Sequence, residues 1–413
     1  MGAPRGDRVG VARERPTQTP KRHPEGTRPA GYPAHGSWPT AHSSQLIERI
    51  ETIPVRVPLD RVYRGSYYSM RNRCTIITRI HTSDGLIGES YNGDADDEQA
   101  EIVKIITDEI EPLLQGTDAW QVERCWEKML PVTFNILRDR SLALQAMACV
   151  DSAIWDLIGK MTGQPLYRLW GGYTDALPLI IIGGYYSDDP SAIEREAERY
   201  RELGVAGCKF KVGGRTPEED AARARLIRES SGPDFIIAVD ANQGYSLRDA
   251  VRFAELTRDC NFVWFEEPCG WTNDRASMRD VRMMTGVPVA GGQSETTPVG
   301  VRDLMVTGAI DVCNFDASWA GGPTQWRRVA GMAALYDVRM AHHEEPQISA
   351  HLIGSVSHGT FVECFLPERD PIFWNMIANR GELTDGLYPV PQGPGFGLVL
   401  DEEWISKYRA DEL

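Results

Sequence analysis

Three kinds of signal are missing from this chain of 413 residues. Its eight cysteines, Cys74, Cys125, Cys149, Cys208, Cys260, Cys269, Cys313 and Cys364, form no CxxC pair and follow no regular spacing. In a chain this long that points to reduced thiols in a cytosolic protein and away from a disulfide framework or a zinc site. No uninterrupted apolar run approaches the length of a membrane span. No GxGxxG follows a strand-like run, which argues against a dinucleotide-binding fold. Positive charge is also short: 44 Lys and Arg against 59 Asp and Glu leave a formal charge of -15. Nucleic acid and anionic membrane are therefore poor partners. Small anionic substrates stay open, because a metal or a lysine pair can reverse the field inside one pocket.

What is present is ordinary globular material, 42% hydrophobic and 25% charged, enough for a large core in no more than two domains. Residues 1–45 differ from the rest, with seven Pro, six Gly and seven Lys or Arg against three acids. That composition predicts a disordered extension, and the lack of an apolar h-region argues against a signal peptide. From residue 46 to about 170, "IERIETIPVRVPL" and "RCTIITRIHTSDGLIGESY" alternate like antiparallel strands broken at "SDG". Helical stretches follow through "DEQAEIVKIITDEIEPLLQG" and "SLALQAMACVDSAIWDLIGKMTGQPLYRLWGG", the latter stopped near Gly163 and Pro165. Strands first and helices after describe an α+β domain.

Between residues 171 and 370 the rhythm changes. Short apolar runs recur every 25 to 30 residues: "PLIII", "GCKFKV", "FIIAVD", "FVWFEE", "VPVAGG", "AIDVCNFD", "DVRMAHH" and "GTFVECF". Amphipathic helical stretches separate most of them. Eight strands alternating with helices over about 200 residues fit an α/β fold, a (β/α) barrel, better than an open doubly wound sheet.

In such a barrel the polar residues at the strand ends point into the active-site mouth. In order they are Lys209 and Lys211, Asp240 with Asn242, Glu266 and Glu267, Gln293 and Glu295, Asp316, His342 and His343, and Glu363. One such charge is ordinarily a loop cap, but a full ring is costly unless its members pair or bind a metal. Asp240, Glu266 and one residue of "GGQSE" come from consecutive strands, an oxygen donor set that suits Mg²⁺. Lys209 and Lys211, two apart, share a face. Beside the metal and each other, at least one should have a depressed pKa and act as a base. Asp316 behind His343 forms a general-base pair. Glu363, in an apolar strand, could stay protonated and donate a hydrogen bond to an oxyanion. Together these groups suggest abstraction of the proton α to a carboxylate.

At this point the chain resembles the enolase superfamily, in the mandelate racemase-like subgroup of its mandelate racemase/muconate lactonizing enzyme family. The resemblance rests on "KFK" (209–211), "VDANQ" (239–243), "WFEEP" (264–268), "FDASWAGG" (315–322), "HHEEPQISAHL" (342–352), "VE" (362–363) and the helix signature "VDSAIWDLIGKMTGQPLYRLWGG". It implies a (β/α)7β TIM-like barrel under an N-terminal α+β capping domain, the latter completed by residues 371–413. It further implies Lys211 as the S-specific base, Lys209 as carboxylate binder, Asp240 and Glu266 as metal ligands, the His343–Asp316 pair as opposing base and Glu363 as electrophilic acid. His342 is one residue off the spacing and reads as a packing histidine.

The chain departs from the family at one place. Counting back from Asp316 puts Gln293 at the third metal position, usually Glu, while Glu295 keeps strand parity and carries the charge. Gln293 is favoured by position, with Glu295 close by or substituting. The implied cap would supply specificity loops, foremost "YRGSYYSMRNR" (63–73), with Tyr67, Tyr68, Arg71 and Arg73 as candidate contacts. Trp319, Tyr185 and Tyr186 are candidates on the barrel side. Dehydration of an acid sugar is the leading reaction. The alternatives are racemisation or epimerisation of a 2-hydroxy acid, cycloisomerisation of a lactone, and a non-catalytic sugar-acid-binding protein. A cytoplasmic homo-oligomer with a small-molecule substrate completes the expectation.

Overall fold

A computed structural model describes residues 44–93 and 98–410. Apart from Ser44 and Gln45, the expected extension 1–45 lies outside the described residues.

The alternating stretches near the start form three antiparallel strands, β1 (Ile47–Arg64), β2 (Ser69–Thr82) and β3 (Ile87–Asn92), in that spatial order. The β2–β3 turn falls at "SDG", where Gly85 takes φ +86°, a conformation that costs glycine nothing. Against this sheet lies the helix Arg140–Thr162. The Asp139 side chain accepts the Ser141 N–H at its start, and Gly163, left-handed at φ +64°, closes it. By length and a mean hydropathy of 1.3 this helix could cross a membrane, yet 89% of that stretch is buried within the protein. It is a core helix, packing Met147, Ile154 and Leu157 against Ile50, Ile76 and Ile102.

Eight parallel strands follow: β4 (Ala176–Gly183), β5 (Gly207–Lys211), β6 (Ile236–Asp240), β7 (Phe265–Glu266), β8 (Val289–Gly291), β9 (Val312–Cys313), β10 (Arg339–Met340) and β11 (Val362–Phe365). They pair in the order β10-β9-β8-β7-β6-β5-β4-β11, and a parallel bridge between Met340 and Gly359 joins the two ends. One helix lies between each successive pair, from Ala192–Leu203 to Pro346–Gly354. This is the (β/α) barrel that the strand rhythm predicts, in the (β/α)7β form that the resemblance implies. Local sequence starts its helices: Thr216 and Glu219 form a capping box around Pro217. Inside the barrel, Ile180, Ala238, Trp264, Ala290, Val312 and Ala341 make a small apolar layer beneath the mouth.

After β11 the chain returns towards the first sheet. Strand β12 (Leu387–Pro389) pairs antiparallel with β4. The helix Glu402–Tyr408 leads to a bridge between Arg409 and Val55 of β1, where Ala410 N–H donates to the Pro54 carbonyl at 2.9 Å.

Candidate active site

The two-residue period of β5 puts Lys209 and Lys211 on its inward face, and both are buried. Lys209 Nζ donates to Glu266 Oε1 and to Glu363 Oε2, each at 2.9 Å. Lys211 Nζ donates to Asp240 Oδ2 at 2.6 Å and Asn242 Oδ1 at 2.9 Å. Asp240 and Glu266 are register partners on β6 and β7, so their carboxylates rise side by side. Trp264, from the apolar layer below, donates its indole N–H to Glu266 Oε2 at 3.1 Å.

Charge decides the state of this cluster. Burial works to raise the Asp240 carboxyl, but the ammoniums of Lys211 and Lys209 outweigh it and hold the group below its ordinary range. Burial dominates at Glu266, pushed up to about 8, and at Glu363, which also lies above its ordinary range. Glu363 Oε1 is buried without a hydrogen-bond partner, which suits a carboxyl that keeps a proton to donate. The expectation of a depressed lysine concerns the metal-bound site. Burial alone would lower Lys209 and Lys211, but direct pairing with Asp240, Glu266 and Glu363 raises both. Sequence spacing placed the lysines beside each other and did not weigh the carboxylates that each one touches.

Across the mouth, His343 Nδ1 lies 3.0 Å from Asp316 Oδ2. Asp316 Oδ1 accepts the Ser318 N–H at 2.7 Å, which fixes the carboxylate behind the ring. His343 thus donates Nδ1–H and presents Nε2. Burial holds it well below the ordinary histidine pKa, reinforced by Lys209, Lys211, His342 and Arg73. Trp319 packs on the imidazole with ring centroids 4.9 Å apart. His342 turns into the loop: its Nε2 accepts the Ala317 N–H at 3.0 Å, and Nδ1 faces the Glu344 carbonyl at 3.3 Å. Asp316, His342 and Glu345 do cluster closely enough to suggest a metal site. The Ala317 N–H and the Glu344 carbonyl engage both nitrogens of His342, so that cluster lacks a free imidazole ligand.

Gln293 and Glu295 part company. Gln293 is buried and lines the mouth, its amide oxygen 3.3 Å from Asn314 Nδ2. Glu295 is ion-paired with Arg275, outside the mouth lining. On this geometry Gln293, and not Glu295, faces the mouth. Strand β8 ends at Gly291, and Gly292 takes φ +131°, so strand parity no longer applies two residues later. Asp240, Glu266 and the Gln293 amide remain as an all-oxygen set, buried at the ends of three consecutive strands, and it fits a hard divalent cation.

These groups open onto a cavity of about 920 Å³. Lys211, Asn242, Gln293, Trp319 and His343 line its barrel side, and Tyr68 and Arg71 reach it from the β1–β2 hairpin. The Tyr68 ring sits 5.6 Å from Lys211 Nζ. Tyr185 also lines the cavity. Tyr67 is 80% exposed, and Tyr186 turns away to Asp220 at 3.0 Å. Arg73 is buried and binds Glu344 at 2.9 Å and Asp370 at 3.0 Å. Sequence reasoning gave no role to Glu344, although the doubled acid directly after His343 in "HHEEP" was a signal. It also passed over Ser141 and Gln145 of the long cap helix, which line the cavity from above.

Residues 49–171 match the N-terminal domain model of the mandelate racemase/muconate lactonizing enzymes, and residues 192–404 match the enolase C-terminal domain-like model. Over 88% of its length the chain is 30% identical to 3,6-anhydro-alpha-L-galactonate cycloisomerase of Streptomyces coelicolor, covering 99% of that protein. Arabinonate dehydratase of Saccharolobus solfataricus is 31% identical over 81% of this chain and 90% of its own. A crystal structure of a mandelate racemase/muconate lactonizing enzyme from a marine actinobacterium, in complex with magnesium, superposes with a TM-score of 0.85. It is 51% identical, covering 89% of this chain and all of that one.

Proposed function

The chain belongs to the mandelate racemase/muconate lactonizing enzyme family of the enolase superfamily, and from that premise we propose that it dehydrates an acid sugar to a 2-keto-3-deoxy acid. The observation that carries the proposal is the opposed pair of bases. Lys211 on β5 and His343 after β10 stand three strands apart by the shorter way round the barrel, and both line one cavity. A carbon held between them is open to proton transfer on either face.

Mg²⁺, held by Asp240, Glu266 and Gln293, would supply positive charge to a substrate carboxylate and take up carboxylate charge that now pairs with the lysines. Freed of that pairing, Lys211 is a buried amine beside a second cation, Lys209, and both effects lower its pKa. Its Nζ takes the α-proton, and the C–H electron pair passes into the enediolate. The Lys209 ammonium and the Glu363 carboxyl donate to the developing oxyanion. His343, once protonated on Nε2 from solvent, gives that proton to the β-hydroxyl, which leaves as water, and the resulting enol tautomerises to the keto acid. The division into a cap (46–170 with 371–413) and a barrel (171–370) is part of this proposal, with the hairpin residues Tyr68 and Arg71 contacting substrate. All eight cysteines are free and buried, in keeping with a reducing compartment.

A polar lining that includes Ser69, Asn72, Ser141 and Gln145 suits a hydroxyl-rich acid, and the alternative is racemisation or epimerisation of a 2-hydroxy acid. The test is incubation of the Mg²⁺-loaded protein with a library of acid sugars, following 2-keto-acid formation and, separately, α-proton exchange in D₂O. Keto acid supports dehydration. Exchange with inversion and no keto product makes the protein a racemase, and silence in both assays across the library makes it a binding protein.

A further inference from the structure

Neutral imidazole has one N–H and can satisfy one carboxylate acceptor. His343 faces two. Asp316 Oδ2 lies 3.0 Å from Nδ1, and Glu344 Oε1 lies 3.3 Å from Nε2, the edge that opens onto the cavity. Glu344 is not placed there by a relaxed backbone. Its φ is +57° and that of Glu345 is +39°, left-handed values that non-glycine residues rarely take without a compensating contact. The compensating contact comes from β2, whose buried Arg73 donates to Glu344 Oε2 at 2.9 Å and to Asp370 at 3.0 Å, with Glu345 at 3.8 Å.

The charged groups around His343 fall in two sets. Lys209 and Lys211 on β5, Arg73 on β2 and the neighbouring His342 oppose a proton on the ring. Asp316 beyond β9 and Glu344 beyond β10 are the groups on its nitrogens, and only a ring protonated on both satisfies them together. We propose that Glu344 is a positioning residue that lets His343 hold the proton it later delivers to a leaving hydroxyl, with Arg73 fixing the Glu344 carboxylate from the cap sheet. The idea rests on the dehydratase reading, in which His343 is the acid that expels the β-hydroxyl. When the proton leaves Nε2 for the β-hydroxyl, the C–O bond breaks with its electron pair on oxygen. Glu344 keeps its charge throughout.

The test needs no substrate, so it stands apart from the success or failure of the library screen. The full-length protein is labelled with ¹³C-histidine, the His343 resonance is identified by its loss in His343→Asn, and its titration is followed with Mg²⁺ present. The expected result is a His343 midpoint in the parent that Glu344 holds up against the burial and cations that lower it. That midpoint falls by one pH unit or more, a tenfold loss of proton affinity, in Glu344→Gln. Glu344→Asp, which keeps the charge, stays within about 0.3 units of the parent, a rescue that a packing role alone would not give. Arg73→Lys, which keeps the opposing cation but loosens the hold on Glu344, moves the midpoint down and serves as the second reading if Glu344→Gln does not fold. An unmoved midpoint in the folded variants overturns the proposal.

Discussion

Replacing Arg73 by Met should destabilise the protein far more than a surface arginine would. The side chain is 1% exposed, so its loss leaves the Glu344 and Asp370 carboxylates buried without the donors that now lie at 2.9 and 3.0 Å. Removing one partner of a buried ion pair costs about 3–5 kcal/mol, chiefly because the charge left behind stays desolvated. With an unfolding entropy of roughly 2.1 cal/mol/K per residue, a folded unit of this size has about 0.8 kcal/mol/K in total, so a loss of ~4 kcal/mol lowers the melting temperature by about 5 °C. The pH dependence supplies the sign. Carboxylates stripped of their cation have folded pKa values above their unfolded ones, so the penalty is absent below the unfolded pKa and grows as pH rises through the folded one. The deficit should therefore be larger at pH 8 than at pH 5. Differential scanning calorimetry of parent, Arg73→Met and Arg73→Met/Glu344→Gln measures all of it, and the double variant should recover part of the loss. A shift under 1 °C at pH 8, or a deficit that grows on acidification, would refute the reasoning.

At the third metal position, Gln293→Glu adds a full charge to an all-oxygen set. It should tighten Mg²⁺ binding by about tenfold or more, roughly 1.4 kcal/mol, in isothermal titration calorimetry. Glu295→Gln should leave Mg²⁺ affinity within about twofold, because that carboxylate is engaged by Arg275. Buried Asp151 is pushed up to about 7 by desolvation, against hydrogen bonds of 2.8 Å from the Thr324 N–H and hydroxyl. A raised folded pKa means stability present below the unfolded value and lost as pH climbs towards 7. Melting temperature should therefore fall between pH 4 and pH 7, and Asp151→Asn should flatten that fall.

The barrel was legible because buried parallel strands are short continuous apolar runs at a fixed period, and their ends announce themselves by charge. "FIIAVD" and "FVWFEE" delivered Asp240 and Glu266 to registered neighbours, as strand-end reasoning requires. That reasoning failed where its premise did. Beyond Gly291 the chain is no longer a strand, so the parity argument for Glu295 had nothing to act on. The lysine protonation states were out of reach for a different reason. A pKa is set by contacts across the barrel, and Lys209 meets Glu363 from 154 positions away in sequence. Arg73 read as one more polar residue in a cap loop. Its burial depends on Glu344 and Asp370, 271 and 297 residues further on, and no local pattern carries that information.

The proposed dehydration depends on Lys211 at the α-proton and His343 at the β-hydroxyl. The decisive measurement is turnover of an acid sugar dehydrated by the Mg²⁺-loaded parent, compared with Lys211→Ala and His343→Asn, with melting temperature recorded for each. The expected result is loss of keto-acid formation by about 10² to 10⁴ fold in both variants, at the melting temperature of the parent. Full activity in both, with the fold intact, would contradict the two-base assignment.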